Sequence, residues 1–228
     1  MGEVNYFAVL TGDLVKSSRL SEDHLSAARR ALLAAVDEIK RWGKGLVRSK
    51  PDFFRGDAWQ TVLADPRWSL RAALFLRAKL KSQEGVDTRV AIGIGRVQTV
   101  SPTRASLSSG EAFRLSGESL DQLAGKTRLA ISLAGTVADD SRRWLPVVFS
   151  FCDAIASQWK PRQSEIVARA LLPDHLTYEE IAASLTIPVS KQAVAKSLAG
   201  ARWQAIKLAL DEFERTSWAS AAGLTQKG

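Results

Sequence analysis

Cysteine and histidine are nearly missing from these 228 residues: there is one Cys, Cys152, and two His, His24 and His175, far apart in the chain. A lone cysteine excludes a disulfide framework within the chain. So small a supply also leaves a Cys/His zinc site, a Ser/His/Asp hydrolase and a Cys/His protease poorly provided for. Glycine and proline are sparse as well, at 15 and 7 residues, beside 46% hydrophobic and 25% charged residues. That balance excludes collagen-like and low-complexity chains and fits a globular one. No apolar run approaches the roughly 18 to 20 residues of a membrane span, so no membrane partner is expected. The opening MGEVNYFAVLTGD carries an acid where a secretory leader needs Lys or Arg, which makes the cytoplasm the expected location.

Positive charge is what the chain has in excess. The net charge is +8 and the pI is near 9.9. Residues 1–150 carry +7 of it and residues 151–228 only +1. An anionic partner such as nucleotide, nucleic acid or phosphate is implied, chiefly for the N-terminal part.

Apolar periodicity divides the chain in two. Residues 4–10, VNYFAVL, read as a strand followed by a turn-like Thr11-Gly12-Asp13. Residues 21–42 read as an amphipathic helix, with Ser21 as N-cap, Leu25, Ala28, Leu32, Val36 and Ile39 on one face, and Gly43 and Gly45 beyond its end. Two strands within 46–64 flank Arg55-Gly56-Asp57. A helix over 67–82, a strand over 87–97, a helix over 110–124 and a strand over 127–133 follow. The order βαββαβαβ predicts an α+β fold with a ferredoxin-like βαββαβ core. From about residue 138 the pattern is helical throughout: 141–159, 161–172 with Pro161 at its start, 177–185 and 190–214. The expected organisation is a 1–140 domain, a connector helix at 141–160 and an all-α helix-turn-helix domain at 161–228.

In that last part, Tyr178, Ile181 and Leu185 give a first helix its buried face, and Ala182 is small where two helices would cross. Ile187 is expected to plug the turn, Ser190 to cap the second helix, and Val194 and Leu198 to pack it back. The start of the second helix would present Ser190, Lys191, Gln192 and Lys196 to base edges or phosphates. This segment resembles the DNA-reading helix-turn-helix of sigma-factor type, which implies DNA as a partner. With a net charge of only +1 here, useful affinity implies a homodimer.

Two Gly-Asp pairs mark the N-terminal part: Gly12-Asp13 after the first strand and Gly56-Asp57 in the hairpin. If the strands neighbour one another, both carboxylates reach one edge, where with the Leu14 carbonyl they could hold Mg²⁺ or Mn²⁺. Lys16, Arg19, Arg55 and Arg114 are the candidate phosphate-binding cations. Taken singly, each Asp reads first as a structural residue of a turn or cap. Lys16-Ser17 lacks the glycine of a P-loop, Gly93-Ile94-Gly95 lies within a strand, and the seven Trp are scattered as core or interface anchors.

Residues 4–20, 52–63, 88–98 and 107–120 resemble segments of class III nucleotidyl cyclases and of diguanylate cyclase palms. Together with the C-terminal helices, the chain resembles the SatD family. The resemblance implies metal on Asp13 and Asp57 and a nucleoside triphosphate as ligand. It departs from cyclases at Arg114, where they use an Asn for the ribose, and at Glu118, where they use an Arg; the only Asn of the chain is Asn5. Two functions follow from these features. One is a DNA-binding regulator with a nucleotide- and metal-binding cyclase-like domain; the alternative is a divergent metal-dependent nucleotidyl cyclase or nucleotidyltransferase.

Overall fold

The structure is a computed structural model and describes residues 6–54, 56–123, 125–134, 140–216 and 218. Its first part runs β1 (Tyr6–Leu14), α1 (Glu22–Lys40), β2 (Val47–Phe54), β3 (Ala58–Leu63), α2 (Ser69–Gln83), β4 (Thr88–Arg96), α3 (Glu111–Gln122) and β5 (Leu129–Leu133). The five strands form one mixed sheet in the order β2-β3-β1-β4-β5, antiparallel except for the parallel pair β4-β5. The fold is therefore α+β, with the strand order expected of a ferredoxin-like core and one strand added at the β4 edge.

Period-2 alternation sorts the strand residues onto two faces. Ala8, Leu10, Leu14, Trp59, Leu63, Val90, Ile92 and Ile94 are buried in the core beneath α1 and α2. On α1, the Ser21 hydroxyl accepts from His24 N, and Ala28, Leu32, Val36 and Ile39 all face inward. The opposite face has a smaller apolar patch, in which Val9 and Val62 meet Ala105 and Ala112. There α3 covers β4, β5 and part of β1. A Cβ on Gly93 would lie 2.2 Å from the Ala112 carbonyl oxygen, so only glycine lets α3 seat this closely on the sheet.

Thr11, Gly12 and Asp13 do not form the turn expected of them. They are interior residues of β1, paired with β3 on one side and β4 on the other. Gly12 serves contact rather than turning: its missing side chain makes room for the Trp59 indole, which would lie 2.5 Å from a Cβ. Trp59 is fully buried and donates from Nε1 to Thr88 Oγ1 at 2.9 Å. The strand therefore continues to Leu14.

The helical part comprises α4 (Asp140–Gln158), α5 (Pro161–Ala170), α6 (Tyr178–Ser184), α7 (Lys191–Gly200) and α8 (Trp203–Arg215). The single helix expected over 190–214 is two, because Arg202 adopts a left-handed backbone conformation (φ 57°). The chain turns there so that Trp203, Ile206, Leu210 and Phe213 can be buried. Ile187, expected to plug the turn before α7, is 69% exposed, and Val189 packs there instead.

Twelve of the 15 residues of α2 are buried, which means this helix is covered on both sides: by the sheet, and by α5 with its neighbours. The second cover brings polar groups inside. Arg77 is fully buried and donates from Nε and Nη2 to the two Asp87 oxygens, both at 3.0 Å. It also donates to Asp153 on α4 at 2.8 Å and to the Ser157 hydroxyl at 3.0 Å. Arg128 joins Asp87 at 2.6 Å, and Lys81 caps the α4 carbonyls of Ala156 and Ser157. Arg71 similarly ties α2 to Glu214 on α8.

Candidate functional site

The site follows from strand register. Asp13 stands opposite Ala58 on β3 and Arg89 on β4, so Thr11, Asp13, Gln60 and Arg89 share the face turned away from α1 and α2. Because α3 sits over the β4 side, the face nearer the β2–β3 hairpin is left open. A groove of about 660 Å³ results, lined by Thr11, Asp13, Asp57, Gln60, Arg89 and Asp121, with Phe54, Ala58, Ser106, Gly117 and Leu120 around them. That volume lies within the range of small-molecule sites.

Its floor is closed by a hydrogen-bond chain. Gln60 Nε2 donates to Thr11 Oγ1 at 2.8 Å, Thr11 and Ser116 share a bond at 2.7 Å, and Ser116 donates to the Phe113 carbonyl at 3.0 Å. Arg89 holds Asp13 with two nitrogens, Nε at 2.8 Å and Nη2, and spends Nη1 on the Leu123 carbonyl at the end of α3. The hydrogen bond to Asp13 raises the Arg89 pKa above its ordinary value; burial opposes this, and the charges of Asp13, Asp57 and Asp121 add to it. Asp57 accepts from the Ser17 hydroxyl, and the Gly56 carbonyl accepts from Arg29 Nη2.

Three carboxylates therefore surround one guanidinium, and the described lining of the groove is net negative. A bare phosphate would be repelled from it, whereas a divalent cation would be drawn in. Hard carboxylate oxygens are the donors Mg²⁺ prefers, and with two of them it keeps positions for water or phosphate. By donor type Asp13 and Asp57 fit such an ion. As folded, though, the cation on Asp13 is Arg89, so metal and guanidinium compete for one carboxylate. Among the described residues no group of three or more His, Cys, Asp or Glu is arranged to hold a metal.

The structure brings Asp13 and Asp57 together at the groove. Leu14, expected to contribute its carbonyl, does not line the groove, and its side chain is buried toward α1 and α2. Lys16 and Arg19 are exposed on the turn after β1 and do not line the groove. Arg114 does not line it either; it pairs with Glu118 at 2.7 Å on the exposed side of α3. Arg55 lies outside the described residues. Arg89, Gln60, Thr11 and Asp121 were missed by sequence reasoning. The alternation Arg89-Val90-Ala91-Ile92 did carry the signal that Arg89 faces away from the core, but not that its neighbour is Asp13.

In the helical part, Ser190 Oγ accepts from Ala193 N at 3.2 Å and so caps α7. Lys191 pairs with Glu179 at 2.5 Å, and Gln192 and Lys196 are exposed.

No protein-family model and no curated protein matches this chain. Solved structures similar to it are guanylyl cyclase domains. The guanylyl cyclase Cya2 is 14% identical with a TM-score of 0.41, over 56% of this chain and 74% of its own. The catalytic core of a rhodopsin-guanylyl cyclase with converted specificity, in complex with ATPalphaS, is 17% identical with a TM-score of 0.35, over 52% and 72%. The guanylate cyclase domain of RhGC from Catenaria anguillulae, in complex with GTP, is 18% identical with a TM-score of 0.35, over 53% and 75%. Among the described residues, no helix is long and apolar enough to cross a membrane.

Proposed function

We propose that the chain is a divergent, metal-dependent nucleotidyl cyclase or nucleotidyltransferase type of protein whose groove binds a nucleoside triphosphate together with Mg²⁺. One observation carries this reading: Asp13 and Asp57, 44 positions apart in sequence, line the same net-negative groove on an open sheet face. Such a groove accepts a polyphosphate only with a counter-cation, and Asp13 and Asp57 are the residues that would hold it. When bound, Mg²⁺ supplies neutralisation of phosphate charge. The chain's own part is to fix the two carboxylates: Asp13 by the two-sided pairing of β1, Asp57 by the Ser17 hydroxyl. Arg89, once released from Asp13, is the guanidinium that the described lining of the groove offers to an incoming phosphate. Arg114 and Glu118 bind each other away from the groove, so ordinary ribose orientation has no support from them, and the product need not be a cyclic nucleotide.

The test is thermal shift of the full chain with ATP, GTP, CTP or UTP, with and without Mg²⁺, followed by mass spectrometry of the incubated nucleotide. A Mg²⁺-dependent rise of several degrees that Asp13→Asn/Asp57→Asn loses is expected, because a ligand that binds only the native state must stabilise it. No shift with any nucleotide overturns the reading. Product in the tube establishes turnover.

A second reading, DNA binding through α6, its turn and α7, is favoured by one observation: Gln192 and Lys196 stand exposed near the start of the Ser190-capped α7. Lys196→Ala should then weaken salt-sensitive binding to duplex DNA; equal affinity in wild type and variant discards it.

A further inference from the structure

The face of α4 that points away from α2 is apolar and uncovered. Trp144 is 66% exposed, Phe151 67% and Val147 40%, and Ala154 is exposed beside them. Positions 144, 147, 151 and 154 step by three, four and three, which keeps them on one stripe of the helix. This is the spacing of a seam that packs against another helix. The stripe continues onto α8 at Leu208, which is 64% exposed. Between the two helices runs an apolar groove of about 530 Å³, floored by Cys152 and Phe213.

We propose that this face is a homodimer interface, covered in solution by a second copy of the same chain. A two-fold contact joins one patch to itself and therefore needs ridge and hollow on the same surface. Here the ridge is Trp144 and Phe151, and the hollow is the adjoining α4–α8 groove. The area suffices. The exposed parts of Trp144, Val147, Phe151 and Leu208 amount to roughly 450 Å², within the ~300–600 Å² of the largest patches on monomers. This is over half of the ~800 Å² that each partner buries in a standard interface, and half-buried Leu145, Val148, Ile155 and Ala209 lie alongside to extend it. Among the described residues the stripe positions 144, 147, 151 and 154 carry no charged side chain, as suits the centre of an interface, and Glu212 lines the groove beside them. This face stands apart from the candidate nucleotide groove, which lies on the far side of the sheet from α2.

Sedimentation velocity of the full-length protein tests it. A species of twice 24.8 kDa is expected. Phe151→Glu and Leu208→Glu should each weaken the dimer at least about a hundredfold, since the two-fold buries every introduced carboxylate twice. Leu107→Glu, equally exposed but elsewhere, should leave it intact. Both target side chains are exposed, so thermal midpoints should stay within a few degrees of wild type. As a check that adds no charge, Phe151→Ala should weaken the dimer as well, because it removes the ridge. A wild-type monomer at the highest soluble concentration overturns the proposal. So does a dimer that both charge variants leave unchanged.

Discussion

Two arginine–aspartate clusters meet the start of β4 two residues apart, one through Asp87 and one through Arg89, and they differ in every physical respect. Asp87 points toward α2, where Arg77 is fully buried and its donors meet Asp87, Asp153 and Ser157. Arg89 points to the opposite face, where the Arg89 side chain is 35% exposed and the Asp13 side chain 17%. In the first cluster the buried Arg77 finds an acceptor for each of Nε, Nη1 and Nη2, and the cluster joins α2 to α4. In the second, three carboxylates outnumber one guanidinium, and the groove reaches solvent. Buried charges whose hydrogen bonds are satisfied hold elements together; exposed ones with carboxylates in excess leave something for a ligand to complete.

The largest effect expected from this contrast is on stability. Arg77→Ala strands Asp87 and Asp153 without their buried partner and should cost about 3–5 kcal/mol, read from urea denaturation. Arg89→Ala should cost about 1 kcal/mol or less in the same experiment, because its pair is partly solvated. Equal losses in the two variants would erase the distinction.

Next comes metal affinity. Arg89→Gln frees both Asp13 oxygens and removes a positive charge from a net-negative groove, so Mg²⁺ alone should bind about tenfold more tightly by calorimetry. Arg77→Gln should leave Mg²⁺ binding to the folded fraction unchanged.

Acid should act on the buried cluster. Burial alone would raise the Asp87 pKa, but Arg77, Lys81 and Arg128 together outweigh it and hold the carboxyl below its usual range. Its contribution is therefore fully present above the unfolded-state value of about 3.9 and is lost as pH falls through the lower folded value. Stability should decline steeply below about pH 4, and Asp87→Asn should flatten that decline. The smallest effect is chemical. Burial pushes the Cys152 thiol up to about 12, so iodoacetamide at pH 8 should leave it unmodified until the protein unfolds.

Much of this molecule can be read from local chemistry. Ser21 caps α1, Ser190 caps α7 and Pro161 opens α5, because these residues act within one helical turn of themselves. The strand alternation of Val90, Ile92 and Ile94 places them in the core for the same reason. Thr11-Gly12-Asp13 misleads for an equally local reason: glycine beside aspartate is ordinary turn chemistry. Only the approach of Trp59 from another strand explains why the glycine lies in mid-strand. Arg202 carries no local mark of the break between α7 and α8; burying Trp203 and Phe213 requires it.

The candidate site divides along the same line. Asp13 and Asp57 could be singled out because each stands beside a glycine at a strand or hairpin position. Arg89 could not, because its meaning comes from the β1–β4 register, a contact between residues 76 positions apart. Residue type, periodicity and caps thus determined most of the elements, their order and the choice of the two aspartates. Which face α3 leaves open, which cation holds Asp13, and which stripe of α4 stays uncovered were decided only by packing, since each depends on what distant segments bury against one another.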